Sequence, residues 1–286
     1  MSLRQRQEVQ KLPRQRFIIF KNNLLGLAIA PKDFFKYKKF NMKIEIRDLK
    51  KFFGEKKALD IDHLDFEGSG VIGLVGNNGA GKTTLFRLLL DLLQADSGHV
   101  RYFFSNESQA TVDDGIDPAQ SEEWKHHTGA YIDDGFLIDY LTPEEYFAFI
   151  GKVSGLNETE TTERLHAYDT LMAGEILDQK KLIRDYSAGN KHKIGIISAL
   201  LTHPQLVILD EPFNFLDPTS QNVLKHTLAT YADEHDAMVF VSSHNLAHTV
   251  DISHRIILLE SGLAINDLSN ENRSAESELE SYFNHE

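Results

Sequence analysis

Residues 76–84 read Gly-Asn-Asn-Gly-Ala-Gly-Lys-Thr-Thr and follow the apolar run Val-Ile-Gly-Leu-Val at residues 71–75. Leucines then recur at helical spacing, at positions 85, 88, 89 and 92. This order predicts a strand, a glycine-rich turn and a helix in direct succession. The first N–H groups of a helix have no acceptor within it, and the helix dipole adds positive charge beside them. Phosphate oxygens are the natural ligands of such a turn.

The side chains of this turn narrow the ligand to a nucleoside triphosphate with magnesium. Lys82 is placed to reach the β and γ phosphates as a mobile cation, and the Thr83 hydroxyl is placed to coordinate Mg²⁺. The alternative, a glycine turn with an incidental lysine, is disfavoured by the strand before it and the helix after it. The expected nucleotide contacts are Gly76, Asn77, Asn78, Gly79, Ala80, Gly81, Lys82, Thr83 and Thr84.

A second chemical element lies at the end of another apolar run. Residues 206–209 (Leu-Val-Ile-Leu) are typical of a strand buried on both faces of a parallel sheet, and Asp210 and Glu211 follow directly. Ligands bind at this end of α/β sheets. Asp210 is expected to hold Mg²⁺, and Glu211 to act as the general base for water attacking the γ-phosphate. A strand followed by an acidic turn is the weaker alternative.

Two further positions fit the same chemistry. The run at residues 238–241 leads into Ser-Ser-His, which puts His244 at another strand end, within reach of the γ-phosphate. Residues 187–190 (Ser-Ala-Gly-Asn) precede an apolar-striped helix and form a second small-residue turn at a helix N-terminus. Taken alone, this turn is explained equally well by ordinary capping through Ser187.

The composition limits the class of protein. The 286 residues include no cysteine, which excludes disulfides and thiolate metal sites, and no uninterrupted apolar stretch of the roughly 18–20 residues that a membrane span needs. Residues 1–41 have a charge balance of +8 and residues 42–286 one of −21. The acidic body is expected to repel nucleic acid. The basic arm either lies on an anionic membrane or a partner, or does not fold with the rest.

Local patterns outline the remaining chain. Alternating apolar residues from Met42 predict antiparallel strands ahead of the phosphate loop. The helix after that loop is expected to end near Asp96, and the polar stretch 105–125 to be a surface loop. Residues 142–145 (Thr-Pro-Glu-Glu) predict the start of another helix.

The order of these motifs resembles the nucleotide-binding domain of the ABC ATPases, the family that powers ABC transporters. The resemblance covers about residues 42–283 and implies ATP as the nucleotide. It identifies residues 76–84 as the Walker A loop, 187–190 as the signature motif, 206–211 as Walker B, 214–217 as the D-loop and His244 as the switch histidine. It also aligns Phe53 with an aromatic residue that stacks on adenine. Asp133 takes the Q-loop position, where glutamine is usual, and the shorter aspartate could still coordinate Mg²⁺ or water in a catalytic role.

The resemblance implies an α/β fold with a P-loop NTPase core of the ABC ATPase type, an antiparallel β subdomain and a helical signature subdomain. We expect a basic extension at residues 1–41, an ATPase domain at 42–270 and a short C-terminal tail at 271–286. The helical subdomain is expected at about residues 136–190.

In this family two ATPase domains dimerise head to tail, with ATP between the Walker A loop of one and the signature of the other. Ser187, Gly189 and Asp217 are therefore expected to contact nucleotide across the dimer. The implied function is that of the ATP-hydrolysing subunit of a transporter. Residues 278–283 are similar to the ending of many exporter-type ATPase subunits, which favours an exporter. Expected partners are a separate transmembrane permease and a second ATPase, identical or paralogous, on the inner, cytoplasmic face of the cell membrane.

Two alternatives stay open. One is a soluble ABC ATPase in assembly or translation control, which the single ATPase copy and the absence of a long heptad run disfavour. The other is a degenerate sensor that binds ATP without hydrolysing it, which the presence of Lys82, Glu211 and His244 disfavours. Ala188 and Asn190 stand where glycine and glutamine are commoner, which weakens the expected contacts across the dimer.

Overall fold

The computed structural model describes residues 42–104 and 115–284. The basic arm at 1–41 and part of the predicted surface loop, residues 105–114, lie outside the described residues. In chain order the strands are β1 (Lys43–Phe53), β2 (Lys56–Glu67), β3 (Gly70–Val75), β4 (Ser97–Phe103), β5 (Thr128–Tyr131), β6 (Leu206–Leu209), β7 (Met238–Ser243), β8 (Arg255–Glu260) and β9 (Leu263–Ser269). The helices are α1 (Lys82–Leu89), α2 (Pro143–Val153), α3 (Glu158–His166), α4 (Asp169–Met172), α5 (Ala188–Leu200), α6 (Pro218–Glu234), α7 (Leu246–Ile252) and α8 (Glu276–Asn284).

The smaller sheet is antiparallel, with the strand order β2-β1-β4. Its inner face carries the alternating apolar residues of the sequence, since Ile44 and Ile46 of β1 are buried opposite Phe66 and Leu64 of β2. The prediction of antiparallel strands ahead of the phosphate loop is confirmed.

The central sheet has six strands in the order β5-β6-β7-β3-β8-β9. The first five run parallel, and β9 pairs antiparallel with β8. Strands β6 and β7 are buried along their whole length, as expected where both faces are covered. Because β6, β7 and β3 are neighbours, their carboxyl ends meet at one edge of the sheet, where α/β proteins bind ligands.

Two hydrophobic cores cover the faces of the central sheet. One contains Phe66, Phe86 and Phe240 in edge-to-face contact and joins the antiparallel sheet and α1 to the central strands. The other contains Phe147 and Ile194 and joins the central strands to the helices that follow residue 142. This mixed α/β arrangement, with an antiparallel sheet beside the parallel one, confirms the predicted fold class.

Helix α2 begins where the sequence predicts. The Thr142 hydroxyl accepts a hydrogen bond from the Glu145 backbone N–H at 3.3 Å, and the Glu145 carboxylate accepts one from the Thr142 N–H at 2.9 Å. Pro143 occupies the first helical position. This reciprocal capping box satisfies two N–H groups that the helix itself leaves without acceptors.

Helix α1 is shorter than predicted. It ends at Leu89, not near Asp96, and the Leu92 side chain is 48% exposed. Asp91 adopts a left-handed conformation with φ of +51°, and the Leu92 N–H donates back to the Arg87 carbonyl at 2.9 Å. This six-to-one hydrogen bond is the Schellman ending of a helix, a stop that the leucine spacing did not predict.

The end of the predicted surface loop is also ordered differently. Residues Glu123–His127 form a short 3₁₀ helix, and Trp124 is buried against the Tyr102 ring, 6.0 Å between centroids. Its indole N–H donates to the Pro118 carbonyl at 3.3 Å. A single large aromatic residue therefore pulls this polar stretch onto the core, which satisfies both its ring and its N–H group.

The C-terminal helix α8 packs on the central sheet. Leu279 and Ala275 are buried in a cluster with Val75, Ile256 and Leu258, which come from β3 and β8. Within the ranges that the structure describes, none of the helices is both long enough and apolar enough to span a membrane.

Candidate nucleotide-binding and catalytic site

The loop that follows β3 is built on glycines with unusual backbone angles. Gly76 has φ of +153°, and a Cβ atom there would lie 2.2 Å from the Leu259 carbonyl oxygen. Gly81, the residue before α1, has φ of +111°, and a Cβ atom there would lie 2.8 Å from the Ala58 carbonyl oxygen. Only glycine fits both positions, so the loop can wrap closely around the N-terminus of α1. Asn77, Asn78 and Gly79 are exposed at its tip, Ala80 is buried, and Thr84 is half-buried in the first turn of α1.

Lys82 points back into the loop from the first residue of α1. Its ammonium group donates to the Gly76 carbonyl at 2.6 Å, and the residue is 7% exposed. The same Nζ atom lies 3.7 Å from Oε1 of Glu211. The loop lysine and the carboxylate at the end of β6 therefore face one another across a short gap.

Thr83 and Asp210, which the sequence assigns to magnesium, are in direct contact. The Thr83 hydroxyl donates to Oδ2 of Asp210 at 2.6 Å, and the Ser242 hydroxyl donates to its Oδ1. Asp210 is 6% exposed, and this burial raises the pKa of its carboxyl group, against the opposing effect of the two hydroxyl donors. A buried carboxylate beside a threonine hydroxyl is a donor set that suits Mg²⁺, which binds one or two protein oxygens and keeps several waters.

Glu211 is held at both its backbone and its side chain. Its N–H donates to the Ser242 hydroxyl at 2.8 Å, and its φ of +50° is unusual for a residue other than glycine. Oε2 accepts a hydrogen bond from Nδ1 of His244 at 2.8 Å and a longer one, 3.3 Å, from the His244 backbone N–H. The half-buried carboxylate thus lies between the imidazole of His244 and the ammonium of Lys82.

Asp133 is engaged elsewhere. Its Oδ2 lies 3.5 Å from the Arg87 guanidinium, and its Oδ1 accepts from the Gly135 N–H at 2.8 Å. Arg87 stands on α1 one turn after Thr83, so the aspartate is near the phosphate-loop helix but pairs with its outer face. A role for Asp133 in metal binding or catalysis stays a prediction.

Phe53 lies at the end of β1, in the hairpin whose returning strand passes the phosphate loop. The close approach of Ala58 to Gly81 brings β2 to the start of α1. The Phe53 side chain is exposed, and the Lys51 ammonium lies 5.7 Å from its ring centroid. An exposed aromatic ring is free to stack on a base, but this role also stays a prediction.

The signature and D-loop residues lie together at a second place. Ser187 caps α5 by accepting from the Asn190 N–H at 3.3 Å, and an added Cβ atom at Gly189 would lie 2.7 Å from the Phe215 carbonyl oxygen. Asp217 caps α6 by accepting from the N–H groups of Thr219 and Ser220. Hydrogen bonds from Ser220, its hydroxyl above all, lower the pKa of the Asp217 carboxyl.

No role was predicted from the sequence for Ser242, Tyr131 or His192. Ser242 lies on the strand that ends before His244 and bridges Asp210 and Glu211. His192 lies on α5 and contacts the backbone of Glu211. The position of Ser242 near a strand end was the usable signal in the sequence. His192 could not be identified, because the direction of a helical side chain depends on how the helix packs.

Known proteins that are similar to this chain belong to one family. Residues 59–214 match the family model described as ABC transporter. The bacitracin transport ATP-binding protein BcrA of Bacillus licheniformis is 28% identical over 225 residues, which cover 79% of this chain and 69% of that protein. The uncharacterized ABC transporter ATP-binding protein YhaQ of Bacillus subtilis is 30% identical over 227 residues, 77% of this chain and 68% of that protein.

Solved structures share the fold. The structure of an ATP-binding subunit of an ABC transporter superposes with a TM-score of 0.68 at 23% identity and covers 84% of this chain and 93% of that one. The dimeric structure of MJ0796, a bacterial ABC transporter cassette, gives a TM-score of 0.67 at 20% identity over 80% of this chain and 99% of that one. With the family match covering more than half of the residues, the chain belongs to the ABC transporter family as an ATP-binding subunit.

Proposed function

We propose that this chain binds ATP with magnesium, hydrolyses it and so energises an exporter-type ABC transporter. The observation that carries the proposal is the placement of the Glu211 carboxylate, 2.8 Å from Nδ1 of His244 and 3.7 Å from Nζ of Lys82. The Thr83–Asp210 pair lies next to it. Residues from three strand ends thus supply a phosphate ligand, a metal site and a base at one edge of the sheet.

Each residue has a distinct task in the proposed reaction. The backbone N–H groups of residues 76–81 and the Lys82 ammonium bind the β and γ phosphates. Thr83 and Asp210 hold Mg²⁺, which when bound neutralises the charge on the phosphates. Glu211 takes a proton from the attacking water, and His244 fixes the orientation of its carboxylate.

A symmetric dimer with a second copy of this chain would complete the site. The signature turn and the D-loop lie against each other, and Phe215 between them is 71% exposed. We propose that this surface faces the Walker A loop of the partner, so that Ser187, Gly189 and the D-loop residue Asp217 meet its nucleotide. A paralogous ATPase chain in place of the second copy is the alternative arrangement.

The transmembrane partner is proposed to bind beside the Q-loop position. Phe136, Ile138 and Tyr140 follow Asp133 closely and are large, exposed apolar residues. Such a patch is typical of a protein interface. Relatives of similar identity include proteins named for bacitracin transport and proteins named for sulfate/thiosulfate import, so their names do not decide the direction of transport. The exporter assignment therefore rests on the resemblance of the C-terminal segment.

Phosphate release by the purified chain in Mg-ATP tests the catalytic half of the proposal. Glu211→Gln keeps the size of the side chain but removes the base, so kcat should fall by a factor of about 10² to 10⁴ while ATP still binds. Glu163→Gln, an exposed carboxylate on α3, is the matched control and should hydrolyse like the wild type. Binding without turnover in the wild type would favour the sensor, and unchanged turnover in Glu211→Gln would reject the assigned base.

Co-purification tests the transport half. The full chain, tagged and extracted from membranes in mild detergent, should bring down an integral membrane protein, and alanine substitutions at Phe136 and Tyr140 should weaken that recovery. We propose the cytoplasmic face of the cell membrane as the location of the chain. Recovery of ribosomes or of a soluble assembly complex instead would support a soluble ABC ATPase and overturn the assignment.

A further inference from the structure

His192 connects the signature helix to the backbone of Glu211. It stands on α5, five residues after the capping Ser187, and is 5% exposed. Its Nε2 atom lies 3.2 Å from the Glu211 carbonyl oxygen, and its Nδ1 atom lies 3.2 Å from the Tyr131 hydroxyl. The imidazole also contacts the Phe215 ring edge to face, with 5.8 Å between centroids.

The partners of the imidazole fix which nitrogen carries the proton. A backbone carbonyl only accepts, so Nε2 must be the protonated nitrogen that donates to Glu211. In the neutral imidazole Nδ1 then accepts from the Tyr131 hydroxyl, which can donate. Tyr131 is itself held in place, because Gly195 leaves room for its ring: a Cβ atom there would lie 2.1 Å from it. The Glu211 carbonyl therefore selects the tautomer of His192, and the Tyr131 hydroxyl supports it by giving the unprotonated Nδ1 atom a donor.

The Glu211 backbone needs such contacts. A φ of +50° strains the backbone of a residue other than glycine. Such a conformation persists only when the surrounding structure holds it. The Glu211 N–H is bound by Ser242 at 2.8 Å, and its carbonyl accepts from the Asn214 N–H at 3.1 Å and from His192 at 3.2 Å. The bond from His192 ties this strained residue to α5, whereas Asn214 belongs to the same turn.

We propose that His192 is a positioning residue for the general base: its hydrogen bond to the Glu211 carbonyl holds the Glu211 backbone so that the carboxylate faces the phosphate loop. The Tyr131 hydroxyl supports it by donating to the Nδ1 atom of the same imidazole. This inference rests on the proposed hydrolysis of ATP at Glu211. It also means that a shift of the signature helix within one chain reaches the catalytic carboxylate of that same chain directly.

Two substitutions at His192 separate the hydrogen bond from the packing. In His192→Gln the side-chain amide can place an N–H group where Nε2–H is, whereas in His192→Asn the shorter amide reaches only the position of Nδ1. We expect His192→Asn to lower kcat about tenfold with KM for ATP within about twofold of wild type, the size of one lost hydrogen bond. His192→Gln should retain most of the activity. Equal losses in both variants, or a change mainly in KM, would contradict the proposal.

A double variant at His192 and Glu211 distinguishes positioning of the general base from a merely structural role of His192. In single-turnover hydrolysis, adding His192→Asn to Glu211→Gln should leave the slow residual rate unchanged, because the group being positioned is already absent. If the same tenfold loss persists in the double variant, His192 acts elsewhere and the proposal is wrong. A wild-type chain without hydrolysis rejects the proposed function, whereas a hydrolysing wild type with an equally active His192→Asn variant rejects this inference alone.

Tyr131→Phe provides a second route should His192→Asn fail to fold. It removes the hydroxyl and keeps the ring that packs on Gly195. A loss of kcat of about threefold at unchanged KM is expected, since the buried Nδ1 atom loses the hydrogen bond that supports the Nε2–H tautomer. An unchanged kcat in Tyr131→Phe would contradict the role assigned to the tyrosine and, with an unfolded His192→Asn variant, the proposal as a whole.

Discussion

The charged carboxylate of Asp210 lowers the stability of the folded chain. Burial raises its pKa, which means that the folded state disfavours the charged carboxylate relative to the unfolded state. The cost is present at pH values above the raised pKa and disappears as the pH falls below it, because the carboxyl group is then neutral in the folded protein. A stability cost of this kind is typical of residues that serve binding or catalysis, which agrees with the proposed magnesium site.

Asp210→Asn should therefore stabilise the protein in the absence of Mg-ATP. The amide keeps an acceptor for the Thr83 hydroxyl and offers a donor to Ser242. We expect a Tm a few degrees above that of wild type at neutral pH, with the difference shrinking as the pH falls toward the ordinary range of a carboxyl group.

Thermal unfolding with and without Mg-ATP checks this prediction. Mg-ATP should raise the Tm of the wild type clearly and that of Asp210→Asn much less, since ligand binding stabilises only the state that binds it. A lower Tm for Asp210→Asn at neutral pH without nucleotide would show that the charged carboxylate stabilises the fold, against this interpretation.

Individual residues of the site were predictable to different degrees. Thr83 and Asp210 could be assigned to one site because a phosphate loop and an acidic strand end must meet at one edge of a parallel sheet. The pairing of Asp133 with Arg87 and the contact of His192 with Glu211 could not, because the direction of a side chain depends on packing between distant segments. Ser242 lay in a segment whose strand end was recognised, yet its bridging role is visible only in the structure.

At the scale of elements, apolar patterns and caps were reliable guides. Strand β6 and the start of α2 follow directly from a four-residue apolar run and a capping box. The early end of α1 was missed because Asp91 in a left-handed conformation is a rarer helix stop than glycine. Trp124 was missed because one aromatic residue does not alter the polar character of the stretch around it.

Helix α8 is expected to support the edge of the central sheet. Leu279 is fully buried in the cluster with Val75 and Leu258. Leu279→Ala should destabilise the chain by about 2–5 kcal/mol, the usual cost of a buried leucine replaced by alanine. Glu280→Ala, one residue further and exposed, should stay within about 0.5 kcal/mol of wild type. Urea unfolding measures both, and equal stabilities would mean that α8 does not pack on the sheet in solution.

At the scale of the whole molecule, the proposed function requires two half-sites on each chain. The Walker A loop follows β3, and the signature turn precedes α5. Glu211 contacts Lys82 next to the first and His192 of α5 next to the second. The sequence indicated two turns that are suited to binding phosphate. The resemblance to the ABC ATPases gave a reason for the presence of two such turns in one chain. The proposed dimer of two copies would bring each turn to the nucleotide held by the other copy.

Mixing two inactive variants decides whether ATP is hydrolysed between two copies of this chain. Lys82→Ala removes the phosphate ligand and Ser187→Arg blocks the signature turn, so each variant alone should be inactive. In an equimolar mixture half of the dimers are mixed and have one intact composite site, so about a quarter of wild-type phosphate release should return. Lys82→Ala mixed with a Lys82→Ala, Ser187→Arg double variant is the control and should stay inactive. Recovery above that control is the predicted result, and a mixture as inactive as the control would contradict a site shared between two copies.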